Sequence, residues 1–366
     1  MKNITAVFGT RPEAIKMCPL VNELKSRKSI NTSVCVSGQH RNMLDSVLNE
    51  FGVRPDTDMN IMRDGQTLFD ITESVLAGMR DALKALDTNI LLVHGDTSTA
   101  FAASLAAFYM NIPVAHIEAG LRSDDMHSPF PEEFNRRAIA LMTKYHFAPT
   151  DTARKNLLRE GILESNIFVV GNTVTDALNI TVKKSFSHPA LDFARDGELI
   201  FVTAHRRENL GEPMINIMRA LRRIADSFER ARIVFPVHKN PAVRECVFRE
   251  LGGHERIMLT EPLGVFDCHN IIARSKMILT DSGGIQEEAV SLGIPTLVLR
   301  SVTERTEGAS LGILKLVGCD GDLIFNSFSE IFCNEEKYKK AARATAIYGN
   351  GSTCAKIADI LERIIL

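Results

Sequence analysis

The chain has 366 residues, no tryptophan and only four tyrosines, which removes most of the stacking platforms that nucleic-acid binders use. Net charge is also scarce. Lys and Arg number 43 against 45 Asp and Glu, a formal charge of -2, so no global field gathers a polyanion and nucleic acid is not an expected partner. Cysteine is sparse and unpatterned. Cys18, Cys35, Cys246, Cys268, Cys319, Cys333 and Cys354 form an odd, scattered set without a C-x-x-C pair. That fits reduced thiols in a cytoplasm, not disulfides or zinc. No apolar run approaches the length of a bilayer span, and residues 1–9 read as a first strand because their apolar run is too short for a signal peptide. The expected localisation is cytoplasmic, with no membrane role. Neither a Walker loop nor a G-x-G-x-x-G fingerprint is present.

What is there is an ordinary globular composition, 45% hydrophobic and 24% charged, in a chain longer than one core usually serves. Two domains are the default. Apolar strand runs alternate with helical stretches: 4–8, 32–36, 89–94, 112–117, 145–148 and 167–170, then 199–203, 232–237, 256–259 and 278–280. Such alternation predicts parallel α/β sheets, which take ligands at the carboxyl ends of their strands. Residues 183–197, with Ser, His188-Pro189 and mixed charge, read as an irregular interdomain connection.

Residues 278–300 form one βαβ unit, with Gly293 and Pro295 stopping the helix. Asp281 and Ser282 suit its N-cap, and Gly283 and Gly284 leave no Cβ between a ligand and the positive end of the helix. This predicts an anion site, most naturally for phosphate, and Glu288 is placed to accept from a ribose diol. Paired glycines also simply shape turns, and acidic residues simply complement helix dipoles. The segment alone leaves both readings open.

The first half concentrates acids on the predicted ligand edge. Asp96 follows the strand at 89–94, Glu118 ends the next one, and Glu132 lies in the first turn of a helix preceded by prolines. Arg11 and Lys16 sit near the end of the first strand, while His205 and His238 follow strands of the second half. His116-x-Glu118 matches a zinc-deaminase start, but no Pro-Cys-x-x-Cys follows, so no metal site is expected.

Taken together, the motifs at 8–14, 39–41, 94–97, 118–122, 131–136, 205–209, 238–241 and 281–288 resemble the non-hydrolysing UDP-N-acetylglucosamine 2-epimerases, in order and over nearly the whole chain. The resemblance implies two Rossmann-like domains with parallel sheets facing a cleft, the glycosyltransferase-B arrangement, with the last helix crossing back to the first domain. The implied domains are 1–172 with 353–366, carrying acid-base residues, and 173–352, binding UDP. It implies a cytoplasmic homodimer without a cofactor. The implied reaction interconverts UDP-GlcNAc and UDP-ManNAc by eliminating UDP to a 2-acetamidoglucal and adding it back, supplying donors for bacterial surface polysaccharide. By motif, Asp96, Glu118, Glu132 and His205 take the acid-base positions. Arg11, Lys16, His238, Ser282, Gly283, Gly284 and Arg305 take the diphosphate, Glu288 the ribose, and the stretch from Leu263 to Cys268 the base. Gln39, His40 and Gln66 match part of an activator site, with Gly65 where arginine is often found. Cys268 stands where an aromatic residue is common, and Thr306 where proline is usual. A UDP-sugar glycosyltransferase of the same fold, a non-catalytic UDP-sugar sensor and a 2-epimerase for a modified UDP-HexNAc are the alternatives. The first two do not need three acids in the first domain.

Overall fold

The structure, a computed structural model, describes residues 2–39, 41–63 and 65–365. It divides into two compact units, residues 1–179 with 347–366, and residues 180–346. The first begins β1 (Lys2–Phe8), α1 (Arg11–Lys25), β2 (Ile30–Val36), α2 (Arg41–Glu50), β3 (Thr57–Asp58), α3 (Leu68–Ala85) and β4 (Ile90–His94). It continues α4 (Ser98–Tyr109), β5 (Val114–Ile117), α5 (Glu132–Met142), β6 (Thr143–Ala148), α6 (Asp151–Arg159), β7 (Ile167–Val169) and α7 (Val174–Thr181). The seven described strands form one parallel sheet in the order β3-β2-β1-β4-β5-β6-β7. Strand β4 is buried along its whole length, as a strand covered by helices on both faces must be. Helix starts follow local chemistry. Thr67 and Asp70 close a capping box on α3, and the Thr97 hydroxyl accepts from the Ala100 amide at 3.0 Å to start α4.

The second unit contains α8 (Pro189–Phe193), β8 (Glu198–Thr203), α9 (Glu212–Ser227), β9 (Ala231–Pro236), α10 (Pro241–Leu251), β10 (Ile257–Thr260) and α11 (Val265–Ile272). It continues β11 (Met277–Thr280), α12 (Gly283–Leu292), β12 (Thr296–Val298), α13 (Thr306–Ser310), β13 (Leu314–Leu316), α14 (Gly321–Phe332) and α15 (Glu335–Ala341). Its parallel sheet runs β10-β9-β8-β11-β12-β13. Both sheets therefore reverse their winding between the first and fourth strands of the unit, at β1/β4 and at β8/β11. Loops diverge there and leave a crevice at the carboxyl edge, where open α/β sheets bind ligands.

Two features depart from the sequence reading. The stretch at 183–197, expected to be an irregular connection, contains α8. His188 caps it by accepting from the Ala190 amide at 3.1 Å, and Phe186, Leu191 and Phe193 pack on the second core. Apolar residues on this polar stretch decide its fate, and the division between units falls in the last turn of α7. Strand β5 ends at Ile117, so Glu118 lies just beyond it. The last helix, α16 (Thr353–Ile365), belongs to the first unit. Asp176 of α7 accepts from the Thr353 and Cys354 amides at 3.1 and 3.0 Å, and Arg27, just past the end of α1, pairs with Asp359 and Glu362 at 2.8 and 3.1 Å. Gly171 has φ +99° and lies so close to the returning chain that a Cβ would come within 2.9 Å of the Tyr348 carbonyl, which makes a side chain there unworkable. Among the described residues no helix is long and apolar enough to cross a membrane.

Candidate functional site

In the first unit the reversal point is stitched by a buried carboxylate that the sequence reading overlooked. Glu13 Oε2 accepts from the Gly9 amide at 3.0 Å, the Thr10 amide at 2.8 Å and the Thr10 hydroxyl at 2.8 Å, while Oε1 accepts from the Thr97 hydroxyl at 2.7 Å. The loops after β1 and β4 are thereby tied together. Burial pushes the Glu13 carboxyl pKa up, against these hydrogen bonds. On this frame Arg11 opens α1 half-buried, and Lys16, one helical turn further, is buried.

Glu118 adopts φ +66°, a left-handed conformation that costs a non-glycine residue roughly 1–2 kcal/mol. Such a residue persists only where its surroundings hold it. Here Lys16 Nζ forms an ion pair with Oε2, Asn172 Nδ2 donates to the same oxygen at 2.7 Å, and His94 Nε2 lies 3.5 Å away. Asp96 is held differently. Its carboxylate pairs with Arg136 Nη2 at 2.6 Å, and its carbonyl accepts from Asn135 Nδ2 at 2.8 Å. Arg136 in turn meets the fully buried Glu133 at 3.1 Å, and Arg137 meets that glutamate's other oxygen at 3.0 Å. Glu132 begins α5, half-buried. His116 is enclosed, with Nε2 2.7 Å from the Gly95 carbonyl, and burial holds its pKa down to about 3, so it stays neutral. Among the described residues no group of three or more His, Cys, Asp or Glu side chains is arranged to hold a metal ion.

The second unit is stitched at its own reversal point by Asp281, which is fully buried. Its Oδ2 accepts from the amides of His205 and Arg206, both at 2.8 Å, and from Asn209 Nδ2 at 3.0 Å. The aspartate therefore anchors the β8 loop and leaves the N-cap position of α12 to Ser282, which makes no side-chain capping bond. This corrects the expected capping role of Asp281: the neighbouring backbone amides claim its carboxylate first. The His205 ring lies with Nδ1 3.5 Å from Asp281 Oδ1 and stacks on His238 at 5.2 Å and 13°. His205 thus sits among the anion-binding candidates of its unit.

Gly283 and Gly284 open α12, whose first amides have no partner within the helix. Arg305 lies against them: a Cβ on Gly283 would come within 3.4 Å of its guanidinium carbon. Two buried carboxylates clamp this arginine, Glu287 at 2.7 Å and Glu304 at 2.5 Å. Thr306 occupies the first position of α13, where proline would also fit, so the clamp and not the following residue fixes Arg305. Glu288 is buried with Oε1 3.4 Å from His269 Nε2, and His269 Nδ1 is 2.7 Å from the Thr181 hydroxyl. Leu263, just ahead of α11, and Cys268, within it, lie half-buried against one core cluster. A helix N-terminus, a clamped arginine, paired imidazoles and a buried glutamate make an arrangement suited to a phosphorylated ribose.

Of the remaining expected residues, Gln39 accepts from the Thr99 hydroxyl at 3.1 Å and Gln66 accepts from the Arg63 amide at 3.0 Å, while His40 lies outside the described residues. The sequence reading missed Glu13, His94, Arg136, Asn172, Glu287 and Glu304 as supporting groups. One usable signal existed for some of them: each flanks a strand end already singled out.

The family described as UDP-N-acetylglucosamine 2-epimerase matches residues 22–362. The chain is 51% identical over 358 residues to the UDP-N-acetylglucosamine 2-epimerase of Bacillus subtilis (strain 168), covering 98% of this chain and 94% of that one. A crystal structure from Listeria monocytogenes, described as a putative UDP-N-acetylglucosamine 2-epimerase, superposes with a TM-score of 0.97 at 46% identity, covering 100% of this chain and 96% of that one. A UDP-GlcNAc 2-epimerase from Neisseria meningitidis, solved bound to UDP-GlcNAc, gives 0.94 at 42% identity, covering 99% and 100%.

Proposed function

The chain belongs to the UDP-N-acetylglucosamine 2-epimerase family, and from that premise we propose that it interconverts UDP-GlcNAc and UDP-ManNAc by elimination and re-addition of UDP. A carboxylate of the first unit takes the C2 proton, and the C2–H electron pair becomes the C1=C2 bond of 2-acetamidoglucal. The C1–O bond breaks with its electrons on the β-phosphate oxygen of UDP. Protonation of C2 on the opposite face and return of that oxygen to C1 complete the epimerisation. Abstracting so weakly acidic a proton needs fixed bases, and the reverse step needs an acid on the other side. Asp96, Glu118 and Glu132 supply these groups. The negative charge growing on the departing diphosphate calls for preorganised positive groups. Those are Arg305, the first amides of α12 from Gly283 and Gly284, Ser282, His238 and His205, with Arg11 contributing from the first unit. Glu288 takes the ribose, and the stretch from Leu263 to Cys268 takes the base. Lys16, expected to take phosphate, acts in this reading through its pair with Glu118. The reading also carries a homodimer, no cofactor, and a supply of ManNAc-type donors to surface polysaccharide.

The observation that carries the reading is Glu118, a buried carboxylate held in a strained conformation by Lys16 and Asn172. Incubation with UDP-GlcNAc alone in deuterated water tests it. UDP-ManNAc bearing deuterium at C2, with the bridging C1 oxygen scrambled into nonbridging phosphate positions, is the expected product. Retention of the C2 hydrogen overturns the elimination. Turnover only with an added acceptor points to a glycosyltransferase, and release of free UDP and ManNAc to a hydrolysing reaction.

A further inference from the structure

Asn172 lies just ahead of α7, buried, at the point where the first unit receives the returning chain. Its backbone amide donates to the Tyr348 carbonyl at 2.7 Å. Its side-chain Oδ1 accepts from the Val174 amide at 3.1 Å, which forces Nδ2 to be the end that faces Glu118. The contact is therefore a directed donor, 2.7 Å from Oε2, and not an amide free to flip. Lys16 and His94 approach that same Oε2. Oε1 lies 4.0 Å from where a Cβ on Gly95 would stand, beside the loop that carries Asp96. Contacts converging on Oε2 from α1, β4 and Asn172 fix where the whole carboxylate stands.

Resting on the epimerase reading, we propose that Asn172 is a positioning residue for the reaction: it anchors Glu118 by Oε2, ties that anchor to the Tyr348 segment, and so aims Oε1 at the proton it transfers. The amide also matters electrically. A neutral donor favours the ionised carboxylate, whereas an acid in its place would repel it at hydrogen-bond distance. The titratable groups around Glu118 include Lys16 from α1 and His94 from β4, with Glu13 of α1 and the Asp96–Arg136 pair nearby. A misplacement of about 1 Å in such a group costs on the order of 100-fold in rate.

Asn172→Asp keeps the shape and the acceptor for Val174 N–H but replaces the donor with a carboxylate. At pH 7 its kcat is expected to fall roughly 100-fold with KM within about 3-fold, and the acidic limb of the pH–rate profile to move up by about one unit or more. Asn172→Ser retains an acceptor near Val174 without reaching Glu118, and is expected to lose kcat while keeping KM and UDP binding. A second readout needs no activity. In protein carrying 13C-labelled glutamate carboxyls, with the Glu118 signal assigned by its absence in Glu118→Gln, the Glu118 titration should move upward in Asn172→Asp. Movement of that signal supports the juxtaposition even if the wild type proves not to epimerise, an outcome that would sink the functional reading alone. An unmoved Glu118 titration overturns the proposal, as do wild-type kcat and pH profile in both variants.

Discussion

The two units share one strand order, and in each a single buried carboxylate joins the loops where that order reverses: Glu13 between β1 and β4, Asp281 between β8 and β11. What surrounds each stitch differs. In the first unit further carboxylates follow, and cations hold them, Lys16 on Glu118 and Arg136 on Asp96. In the second, a cation follows and carboxylates hold it, Glu287 and Glu304 on Arg305. One topology thus presents ordered anions in one copy and ordered positive groups in the other. The fold supplies the edge, and side chains on the loops set its sign.

The largest effects should come from removing the anions that the first unit displays. Asp96→Asn and Glu118→Gln are each expected to lower turnover by roughly 100- to 10,000-fold, the range for a lost acid or base. UDP binding, measured by calorimetry, should survive, because the anchors proposed for it lie mainly on the second unit. Retention of more than about a tenth of wild-type turnover by either variant would remove that residue from the acid-base set.

Next come the groups that hold the displayed charges. Lys16 and Glu118 are both nearly enclosed, so Lys16→Met leaves a buried carboxylate without its cation and should cost about 3–5 kcal/mol in urea unfolding. Glu287→Gln should cost less, about 1–3 kcal/mol, because Glu304 still faces Arg305. Equal losses would mean that the clamp on Arg305 has no redundancy.

How much of this contrast the sequence displays depends on distance along the chain. Buried parallel strands appear as continuous apolar runs, so residues 90–94 and 277–280 were legible, as were the acids and glycines that follow strands. Partners were not. Lys16 and Asn172 lie 102 and 54 positions from Glu118, and nothing local to either specifies the meeting. The left-handed backbone of Glu118 was equally invisible, since glutamate has no preference for it and only the assembled surroundings impose it. Asp281 shows the opposite failure: a sound local rule pointed to a cap, and the amides of the loop after β8 won the carboxylate.

Acid should weaken the first unit through its buried histidines. Burial holds His116 at about 3 and His146 at about 4, below the ordinary value near 6.5. The unfolded chain then binds more protons than the folded one between those values and about 6.5, so stability falls as pH drops through that window. From pH 7 to pH 5 each histidine contributes a loss of roughly 2 kcal/mol. Hydrogen exchange, corrected for intrinsic rates, should show β5 and β6 losing protection. Unchanged protection there at pH 5 would sink the assignment, and replacing His146 by Phe should flatten the dependence.

The smallest expected effect isolates what fixes Arg305. Thr306 stands at the first position of α13, where a helix requires no amide donor and a proline's φ is already suitable. If Arg305 were presented by stiffness of the chain that follows it, Thr306→Pro would sharpen that presentation and tighten UDP binding noticeably. If the carboxylate clamp presents it, the substitution acts mostly on the unfolded state, which loses conformational freedom. It should then add only about 0.4–1 kcal/mol to stability. The geometry favours the clamp, since Glu287 Oε1 meets two guanidinium nitrogens, at 2.9 and 2.7 Å, and Glu304 meets a third. Thr306→Pro is therefore expected to raise the unfolding midpoint slightly while UDP affinity by calorimetry changes less than about 3-fold, under 1 kcal/mol. A tenfold gain in affinity would transfer control of Arg305 from the buried carboxylates to the backbone at 306, and the two units would then differ less in how they hold their charges.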